Sequence, residues 1–371
     1  MRIAVGLSGG VDSAVSAALL KKQGHEVIGV FMKNWSDDFG LDGNCPWEED
    51  QKEAKAVADH LGIEFLTYNF ELEYRNRVIK YFFSEYKSGR TPNPDILCNS
   101  EIKFNVFLKK AFDELKIDKI ATGHYARCIA HEDLSITDSS VHNTKYSLLK
   151  GIDENKDQSY FLCKLTQEEL AKVIFPIGHL QKPEVRKIAE ELQLPNAKRK
   201  DSQGICFVGK INVSKFIEEE LGLKEGKIID FDTKKELGIH KGLWFYTIGQ
   251  REGLGLGGGP WFVVEKDIAT NNLIIAKGEN NPALYKTRVS LENINILSPK
   301  LQEVMCSSFQ AEISLRYRQK PAKALVSYCP SKDPKKSKIE LTFFEPQRAV
   351  APGQFGCIYI GDEVVASGVI Q

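Results

Sequence analysis

The sequence predicts an α/β fold class: a doubly wound parallel-sheet domain followed by two small β-rich domains, the last of them a β-barrel. In the first half, short runs of β-branched residues alternate with segments of helical periodicity, which is typical of parallel sheets. After about Phe207, short apolar runs are separated by glycine-rich turns, which is typical of all-β domains. The length of 371 residues allows two or three domains, and we predict them at residues 1–207, 208–285 and 286–371.

The elements of the first domain follow from the period of the apolar residues and from the glycines. "IAVGL" is predicted to be a strand, residues 11–23 a helix that stops at Gly24, and "EVIGVFM" the next strand. "WEEDQKEAKAVADHLG" is predicted to be a helix ending at Gly62, and "EFLTYNF" the third strand. Two amphipathic helices are expected at about residues 72–88 and 100–115, and "KIATGHYA" is expected to form the strand after them.

The rest of the chain favours short strands. "GKIID", "LGIHKGLWFYTIGQREGLGLGGGPWFVVEKD" and "NLIIAKG" contain strands separated by glycine-rich turns. "AEISLRYRQKPAKALVSY" and "KIELTFFEPQRAVAPGQFGCIYIGDEVVASGVI" alternate apolar and polar residues and carry Pro-Gly and Gly-Asp turns. This second pattern predicts a small barrel at the C-terminal end.

The composition is that of an ordinary soluble globular protein, with 42% hydrophobic and 27% charged residues. No apolar run approaches the ~18 residues that span a membrane, and the N-terminus lacks the features of a signal peptide. We therefore expect a cytoplasmic protein without a membrane partner. The formal net charge of zero argues against a uniformly basic surface, although Lys and Arg outnumber Asp and Glu from Lys286 onward, a modest tilt toward a polyanionic partner.

Eight cysteines are spread over the chain, at positions 45, 98, 128, 163, 206, 306, 329 and 357. No C-x-x-C pair occurs, which argues against a zinc ribbon, and we predict no metal site. In a reducing compartment, most of these thiols should be small buried apolar side chains, and a few could be reactive.

"GLSGGVDS", from Gly6 to Ser13, joins the first predicted strand to the first predicted helix. No Lys-Ser or Lys-Thr follows a G-x-x-x-x-G, and the glycines do not form G-x-G-x-x-G, so two familiar phosphate loops are excluded. Glycines allow close backbone approach, and the helix N-terminus offers N–H groups where open α/β sheets bind anions. Ser8 and Ser13 are expected to donate to phosphate oxygens, and Asp12 to cap the helix or to help hold Mg²⁺.

"RTPNPDILCNSEIKF" sets two prolines ahead of a carboxylate and a thiol, Asp95 and Cys98. Pro94 is suited to the first position of a helix, which would place both side chains in the first turn. The alternative is a tight turn before a helix that starts near Ser100. Either geometry directs backbone N–H groups at the thiol and favours its thiolate form. A buried small residue at a proline-capped helix start remains the simpler interpretation.

"KRKDSQGICFVG" carries a second cysteine, Cys206, at the predicted edge of the first domain. Lys198, Arg199 and Lys200 precede it, and their positive charge would favour a thiolate or a persulfide anion. The alternative is a buried cysteine in a linker.

Seven stretches together resemble the tRNA-specific 2-thiouridylase family (MnmA type) of PP-loop ATP pyrophosphatases over nearly the full chain: "GLSGGVDSAV", "GRTPNPDILCNSEIKF", "ATGHYAR", "KDQSYFL", "DSQGICFVG", "GLWFYTIGQREGLGL" and "RYRQKPAKA". A longer insert at residues 131–145 departs from the family pattern. The resemblance implies ATP-dependent 2-thiolation of the wobble uridine of tRNA, with Lys, Glu and Gln isoacceptors expected, and with ATP and Mg²⁺ as cofactors.

The resemblance also implies the roles of the two thiols. Cys206 would receive a persulfide from a cysteine desulfurase or a sulfur-relay protein and attack C2 of the adenylated uracil. Cys98 would then close a Cys98–Cys206 disulfide, or it would first liberate sulfide that attacks the base. Asp95 would be an acid–base group or a structural turn acceptor.

The remaining site residues are carried over by family match. The match to the ATP site comprises Gly6, Leu7, Ser8, Gly9, Gly10, Val11, Asp12, Ser13, Met32 and Gly123. The match to the tRNA site comprises Asn93, Pro94 and Asp95 at the target base, and Lys156, Asp157, Gln158, Arg316 and Tyr317. His124 is expected to be structural.

Three alternatives remain open. Cys98 and Cys206 with a third ligand could hold an iron–sulfur cluster of a different PP-loop thiolase, although Asp95 stands where a C-x-x-C would need a cysteine. A tRNA-binding adaptor with an inactive nucleotide site is the non-catalytic alternative. A nitrogen-transfer ligase would use the phosphate loop but would not require two cysteines.

Overall fold

The computed structural model of the protein describes residues 1–36, 47–131, 144–200, 213–298, 301, 308–331, 333 and 336–371. Its strands, numbered in chain order, are β1 (Arg2–Gly6), β2 (Glu26–Lys33), β3 (Glu64–Asn69), β4 (Lys119–Ala121), β5 (Ala126–His131), β6 (Lys145–Lys150), β7 (Val173–Ile174), β8 (Gly226–Asp230), β9 (Glu236–His240), β10 (Trp261–Asp267), β11 (Asn272–Lys277), β12 (Tyr285–Ile296), β13 (Phe309–Ser314), β14 (Ala322–Cys329), β15 (Lys338–Arg348), β16 (Phe355–Ile360) and β17 (Glu363–Ile370).

The α-helices of the same ranges are α1 (Val11–Lys22), α2 (Trp47–Leu61), α3 (Glu71–Tyr74), α4 (Lys80–Lys87), α5 (Pro94–Leu97), α6 (Leu108–Leu115), α7 (Gln167–Ala171), α8 (Lys182–Glu191) and α9 (Val213–Leu221). Wider π-helical segments, Arg75–Ile79 and Cys98–Phe107, join α3 to α4 and α5 to α6. Short 3₁₀ helices lie at Ser159–Leu162, Leu243–Phe245 and Pro282–Leu284. Among the described residues, no helix has both the length and the apolar character that crossing a membrane requires.

Five N-terminal strands form one parallel sheet in the order β3-β2-β1-β4-β7. The order runs outward from β1 to β2 and β3 on one side and to β4 and β7 on the other. β1 and β4 therefore form the topological switch point, outside whose carboxyl ends such sheets bind ligands.

Successive residues of β1 pack on opposite faces of this sheet. Ile3 and Val5 belong to the apolar cluster formed with α1 and α2, whereas Ala4 belongs to the cluster that contains Phe104. Alternation with a period of two is what a strand covered by helices on both faces requires. The predicted doubly wound parallel sheet is confirmed.

The central part forms a second sheet in the order β10-β11-β8-β9, in which β11 and β8 pair in parallel and the other neighbours are antiparallel. Its apolar cluster contains Val263 and Ile275 and also takes in Ala349 and Ala351 from the C-terminal part. The β-rich prediction for this part is confirmed, and its core is shared with the next domain.

Six C-terminal strands close into an antiparallel barrel in the order β12-β15-β14-β13-β16-β17, and β12 pairs with β17 to complete the ring. Val326, Leu341 and Ile358 are among the buried residues that fill it. Closure removes the exposed sheet edges. The predicted C-terminal β-barrel is confirmed.

One sequence prediction in the first domain is wrong. "KIATGHYA" does not form one strand but is divided between β4 in the parallel sheet and β5, which pairs with β6 and extends the barrel sheet through β17. Residues 122–125 make the crossing. A Cβ on Gly123 would lie 2.7 Å from the backbone nitrogen of Ser13, so the chain leaves the sheet while touching the loop after β1.

Candidate active site

The phosphate loop, residues 6–13, leaves β1 and enters α1. Gly10 is the N-cap of α1, and no side chain makes a cap hydrogen bond there, so the first N–H groups of the helix are not taken up by a cap. The N–H of Ser8 donates to Ser13 Oγ at 3.2 Å, and Ser13 Oγ donates to the carbonyl oxygen of Gly10 at 3.0 Å. The two serines thus fold the loop over the positive end of the helix dipole, and this arrangement fits a phosphate group.

The other two residues predicted to contact ATP lie beside this loop. Met32 is near the end of β2 and Gly123 follows β4, and these two strands flank β1. A Cβ on Gly6 would lie 3.0 Å from Met32 Cε, and a Cβ on Gly123 would lie 2.7 Å from the carbonyl carbon of Asp12. The structure therefore brings the predicted ATP-site residues together at the carboxyl ends of three adjacent strands.

The Asp12 carboxylate is held by partners from distant parts of the chain. Lys182 Nζ lies 2.7 Å from Asp12 Oδ1 and 2.9 Å from Oδ2, and Tyr125 Oη donates to Oδ1 at 2.8 Å. Because Gly10 is the N-cap, the interpretation of Asp12 as the cap is wrong. A Mg²⁺ ion on Asp12 would have to share the carboxylate with this ammonium group. These partners of Asp12 do not fit a dedicated Mg²⁺ site.

The carbonyl oxygen of Gly9 accepts hydrogen bonds from two side chains much later in the chain. Asn196 Nδ2 donates at 2.8 Å and Arg199 Nη1 at 3.1 Å, and Arg199 also pairs with Asp50. Gly9 has φ +76°, and a Cβ there would lie 2.6 Å from the carbonyl oxygen of Asp50, so the position requires glycine. The sequence predicts that the charge of Arg199 favours a thiolate at Cys206, which lies outside the described residues. The structure shows the Arg199 guanidinium at the phosphate loop.

The proline-rich stretch starts a helix, which decides between its two predicted geometries. Pro94 is the first residue of α5, Asn93 is the N-cap, and Asn93 Oδ1 accepts from the N–H of Ile96 at 3.2 Å. Asp95 lies in the first turn, where the helix dipole favours a carboxylate. Cys98 lies one turn further in, at the first residue of the π-helical segment. The helix therefore starts several residues before position 100.

Cys98 itself is enclosed by the protein. Its exposed fraction is 2%, and it belongs to the apolar cluster that also contains Leu97 and Ile102. This conformation corresponds to the simpler of the two interpretations, a buried small residue at a proline-capped helix start. A thiol in this position can meet a substrate only after the helix start opens locally.

Comparisons with known proteins cover the whole chain. Three family models match consecutive parts: the tRNA methyl transferase HUP domain at residues 1–210, the tRNA methyl transferase PRC-barrel domain at 214–277, and the aminomethyltransferase beta-barrel domain at 286–370. The chain is 46% identical over 379 residues to the tRNA-specific 2-thiouridylase MnmA of Lactococcus lactis subsp. cremoris (strain SK11), which covers 100% of this chain and 94% of that protein. The chain belongs to the MnmA family of tRNA-specific 2-thiouridylases. The MnmA of Streptococcus thermophilus (strain CNRZ 1066) is also 46% identical over 380 residues, with 100% and 95% coverage.

The turn at residues 156–158, which is predicted to contact tRNA, makes hydrogen bonds within the chain. The Asp157 carboxylate accepts from the N–H groups of Gly151 at 2.9 Å and Ser159 at 3.1 Å. Burial raises the pKa of Asp157, and these hydrogen bonds oppose the shift. Gln158 Oε1 accepts from the N–H of Tyr125 at 3.0 Å, and the hydroxyl of the same tyrosine bonds the phosphate loop. Both side chains thus have an intramolecular role.

Two other residues that are predicted to contact tRNA also have partners within the chain. The guanidinium of Arg316 donates to the carbonyl oxygens of Ala349 and, at 3.3 Å, of Ile248, and so joins the barrel to the central domain. Burial lowers the pKa of Arg316. The ring of Tyr317 packs on Phe161 with 4.3 Å between centroids. Any contact with tRNA would therefore be made by side chains whose positions the fold already fixes.

Cys206, the second thiol that the sequence predicts to be catalytic, lies outside the described residues, so its role stays a prediction. Sequence reasoning missed three partners of the phosphate loop: Tyr125, Lys182 and Asn196. Tyr125 stands in the motif "ATGHYAR", one of the seven stretches of the family resemblance, so the sequence offered a signal for this residue. Lys182 and Asn196 stand in segments without glycine or motif, where nothing local distinguishes them from surface residues.

Proposed function

We propose that this protein catalyses ATP-dependent 2-thiolation of the wobble uridine of tRNA. The observation that carries the proposal is the phosphate loop with Met32 and Gly123 at adjacent strand ends, in a chain that matches 2-thiouridylases over its full length. The first family model is named after methyl transfer. Adenylation and sulfur transfer fit this site better than methyl transfer does, because it has a loop suited to a nucleoside triphosphate and a thiol at a helix start.

Adenylation solves the difficulty of a poor leaving group. ATP supplies an adenylyl group to the uracil C2 oxygen, pyrophosphate leaves, and C2 then bears a good leaving group. The chain's contribution is to bind and orient the phosphates, through the Ser8 and Ser13 hydroxyls, the N-terminal N–H groups of α1 and the Lys182 ammonium. Mg²⁺ would enter together with the nucleotide.

Sulfur transfer needs both thiols. A cysteine desulfurase or sulfur-relay protein loads Cys206 with a persulfide, whose terminal sulfur attacks C2 and displaces AMP. The Cys98 thiolate then attacks the Cys206 sulfur, a Cys98–Cys206 disulfide forms, and the electron pair of the broken S–S bond leaves with the thiocarbonyl. A dithiol reductant resets the disulfide before the next turnover. In the alternative order, Cys98 first releases sulfide from Cys206, and the sulfide attacks.

The helix start places Asp95 and Cys98 in one unit. Asp95, half-buried in the first turn, is the acid–base group of this proposal, and Asn93 and Pro94 border the target base. The half-buried Lys156, Asp157, Gln158, Arg316 and Tyr317 are proposed to contact the tRNA backbone and bases. Free thiols in the mechanism fit a reducing compartment, and we propose that the protein works in the cytoplasm.

A thiolation assay tests the proposal. Wild type, Cys98→Ser and Cys206→Ser are each incubated with unmodified tRNA, ATP, a cysteine desulfurase and cysteine that carries labelled sulfur. Two quantities are measured: the labelled sulfur on tRNA and the release of pyrophosphate. We expect no labelled tRNA from either variant but first-turnover pyrophosphate release at close to the wild-type rate, because each serine removes a sulfur step and leaves the phosphate loop intact. Cys329→Ser is the matched control, since Cys329 is an exposed free cysteine of the barrel.

The outcomes separate the alternatives. Failure of wild type to release pyrophosphate with unmodified tRNA would point to an adaptor and contradict the proposal. Labelled product from Cys98→Ser would contradict the role of that thiol. A broad visible absorption band in anaerobically purified protein that disappears in Cys98→Ser would support an iron–sulfur thiolase instead.

A further inference from the structure

The loop before the helix start, residues 90–93 (the proline loop), cannot hold itself in place through its own backbone. Pro92 and Pro94 have no N–H to donate, so neither can close a backbone hydrogen bond in this part of the chain. The carbonyl oxygens of Thr91 and Pro92 therefore need donors from elsewhere. In the structure a single side chain of the C-terminal barrel supplies both: Gln354 Nε2 donates to Thr91 at 3.0 Å and to Pro92 at 2.9 Å.

The same amide also orients the helix cap. Asn93 Nδ2 donates to Gln354 Oε1 at 3.3 Å, while Asn93 Oδ1 accepts from the N–H of Ile96 at 3.2 Å. Reversing the Asn93 amide would break both bonds. Gln354 thus selects the orientation in which Asn93 caps the helix that carries Asp95 and Cys98.

The turn that presents this side chain, residues 351–354 (the barrel turn), fits closely against the proline loop. The N–H of Thr91 donates to the carbonyl oxygen of Pro352 at 2.8 Å. Gly353 has φ +90°, and a Cβ there would lie 2.8 Å from Arg90 Cβ and 2.9 Å from the carbonyl oxygen of Thr91. Only glycine permits this approach.

The barrel turn is itself fixed. The N–H of Gly353 donates to the carbonyl oxygen of Ile370 at 2.9 Å. In return, the N–H of Ile370 donates to the carbonyl oxygen of Gln354 at 2.8 Å. The last strand of the barrel therefore anchors the turn on one side while Gln354 holds the proline loop on the other.

We propose that Gln354 is a positioning residue: it fixes the proline loop and the Asn93 cap, and through them Asp95 and Cys98. The contribution to catalysis rests on the proposed function, whereas the restraint on the helix start does not. The barrel would then act on the reaction centre directly, in addition to any contact that it makes with tRNA.

Two variants test this role: Gln354→Ala removes the side chain, and Gln354→Met keeps its length but removes the amide. Gln310→Ala, an exposed glutamine on β13 of the same barrel, is the matched control. Three quantities are measured: the alkylation rate of Cys98 in the free folded protein by peptide mass spectrometry, the tRNA dissociation constant, and the single-turnover rate of thiolation.

We expect Cys98 alkylation to accelerate at least about ten-fold in both Gln354 variants, because the helix start opens more often without the hydrogen bonds of the Gln354 amide. Thiolation should slow by about 10- to 100-fold, the effect of a misplaced reacting group, with the tRNA dissociation constant within about two-fold of wild type. The control should match wild type in all three.

Unchanged Cys98 alkylation in both variants would overturn the inference, and so would a thiolation defect explained entirely by weaker tRNA binding. If wild type itself does not thiolate tRNA, the proposed function fails. The alkylation rates still decide whether Gln354 restrains the helix start.

Discussion

Single side chains from distant parts of the chain set the charge at the phosphate loop. An Asp12 carboxylate alone would repel a polyphosphate, by about 4 kcal/mol for unit charges 4 Å apart at an effective dielectric constant of 20. Lys182 cancels this charge from 170 residues further along the chain, and its side chain is only 13% exposed. The pair therefore lets the loop keep an aspartate that fixes Tyr125 without excluding an anionic ligand.

His124, on the crossing after β4, has a charge state that affects folding stability. It is 7% exposed, its Nδ1 lies 2.7 Å from Thr122 Oγ1, and the ring packs near Phe104. Burial, with a smaller effect from the positive charge of Lys103, holds the pKa of His124 well below its usual range. The folded protein therefore keeps the imidazole neutral, while the unfolded chain protonates it below about pH 6.5.

We predict that His124 destabilises the fold in acid. Since the unfolded state binds the extra proton, the free energy of unfolding should fall by up to about 1.4 kcal/mol per pH unit below about pH 6.5, and be unaffected above it. Urea unfolding of wild type and His124→Gln from pH 5 to 8 measures the effect as the difference between the two curves. A difference that is constant over this range would contradict the prediction.

At the scale of elements, the crossing at residues 122–125 has two structural tasks. It carries the chain from the parallel sheet to the barrel sheet, and it lines the phosphate loop with Gly123. The atoms that a Cβ on Gly123 would meet are backbone atoms of Asp12 and Ser13, at 2.7 Å. Such atoms cannot move aside as the end of a flexible side chain can, so the loop would have to shift.

We predict that Gly123→Ala weakens ATP binding by about 5- to 150-fold, because displacing the loop costs about 1–3 kcal/mol, the range for an overpacked site. Isothermal titration with a non-hydrolysable ATP analogue measures the affinity. Gly257→Ala is the matched control, since a Cβ there has open space within 4 Å and its φ is not in the left-handed region. Equal affinities for the two variants would show that Gly123 does not shape the nucleotide site.

The sequence predicted what local patterns encode. Apolar period, the stops at Gly24 and Gly62 and the position of Pro94 lead to the correct elements, and the glycines locate the phosphate loop. Pairing between remote elements leaves no local pattern in the sequence. The sequence therefore does not predict the pairing of β6 with β17, nor the hydrogen bond from Gln354 to Thr91, which are 263 residues apart. The burial of Cys98 is only one of two interpretations that the sequence allows, because the composition around a thiol does not determine which residues cover it in the fold.

At the scale of the molecule, the N-terminal domain and the barrel share one apolar core. Phe355, Tyr359 and Val364 of the barrel belong to the same buried cluster as Cys98. Tyr160 Oη also donates to the carbonyl oxygen of Phe355 at 3.1 Å. A core that crosses a domain boundary couples the two parts, so an opening in one is expected to loosen the other.

We predict that Phe355→Ala lowers the free energy of unfolding by about 3–5 kcal/mol and speeds amide exchange in the helix at residues 94–115, far from the substituted strand in sequence. Phe355 is 2% exposed, and its side chain lies in the shared cluster.

Phe343→Ala is the control, because Phe343 is 4% exposed in the barrel's own cluster. It should speed exchange in the barrel strands much more than in that helix. Hydrogen exchange measured by mass spectrometry compares the two variants. Equal protection of residues 94–115 in wild type and Phe355→Ala would mean that the barrel and this helix open independently.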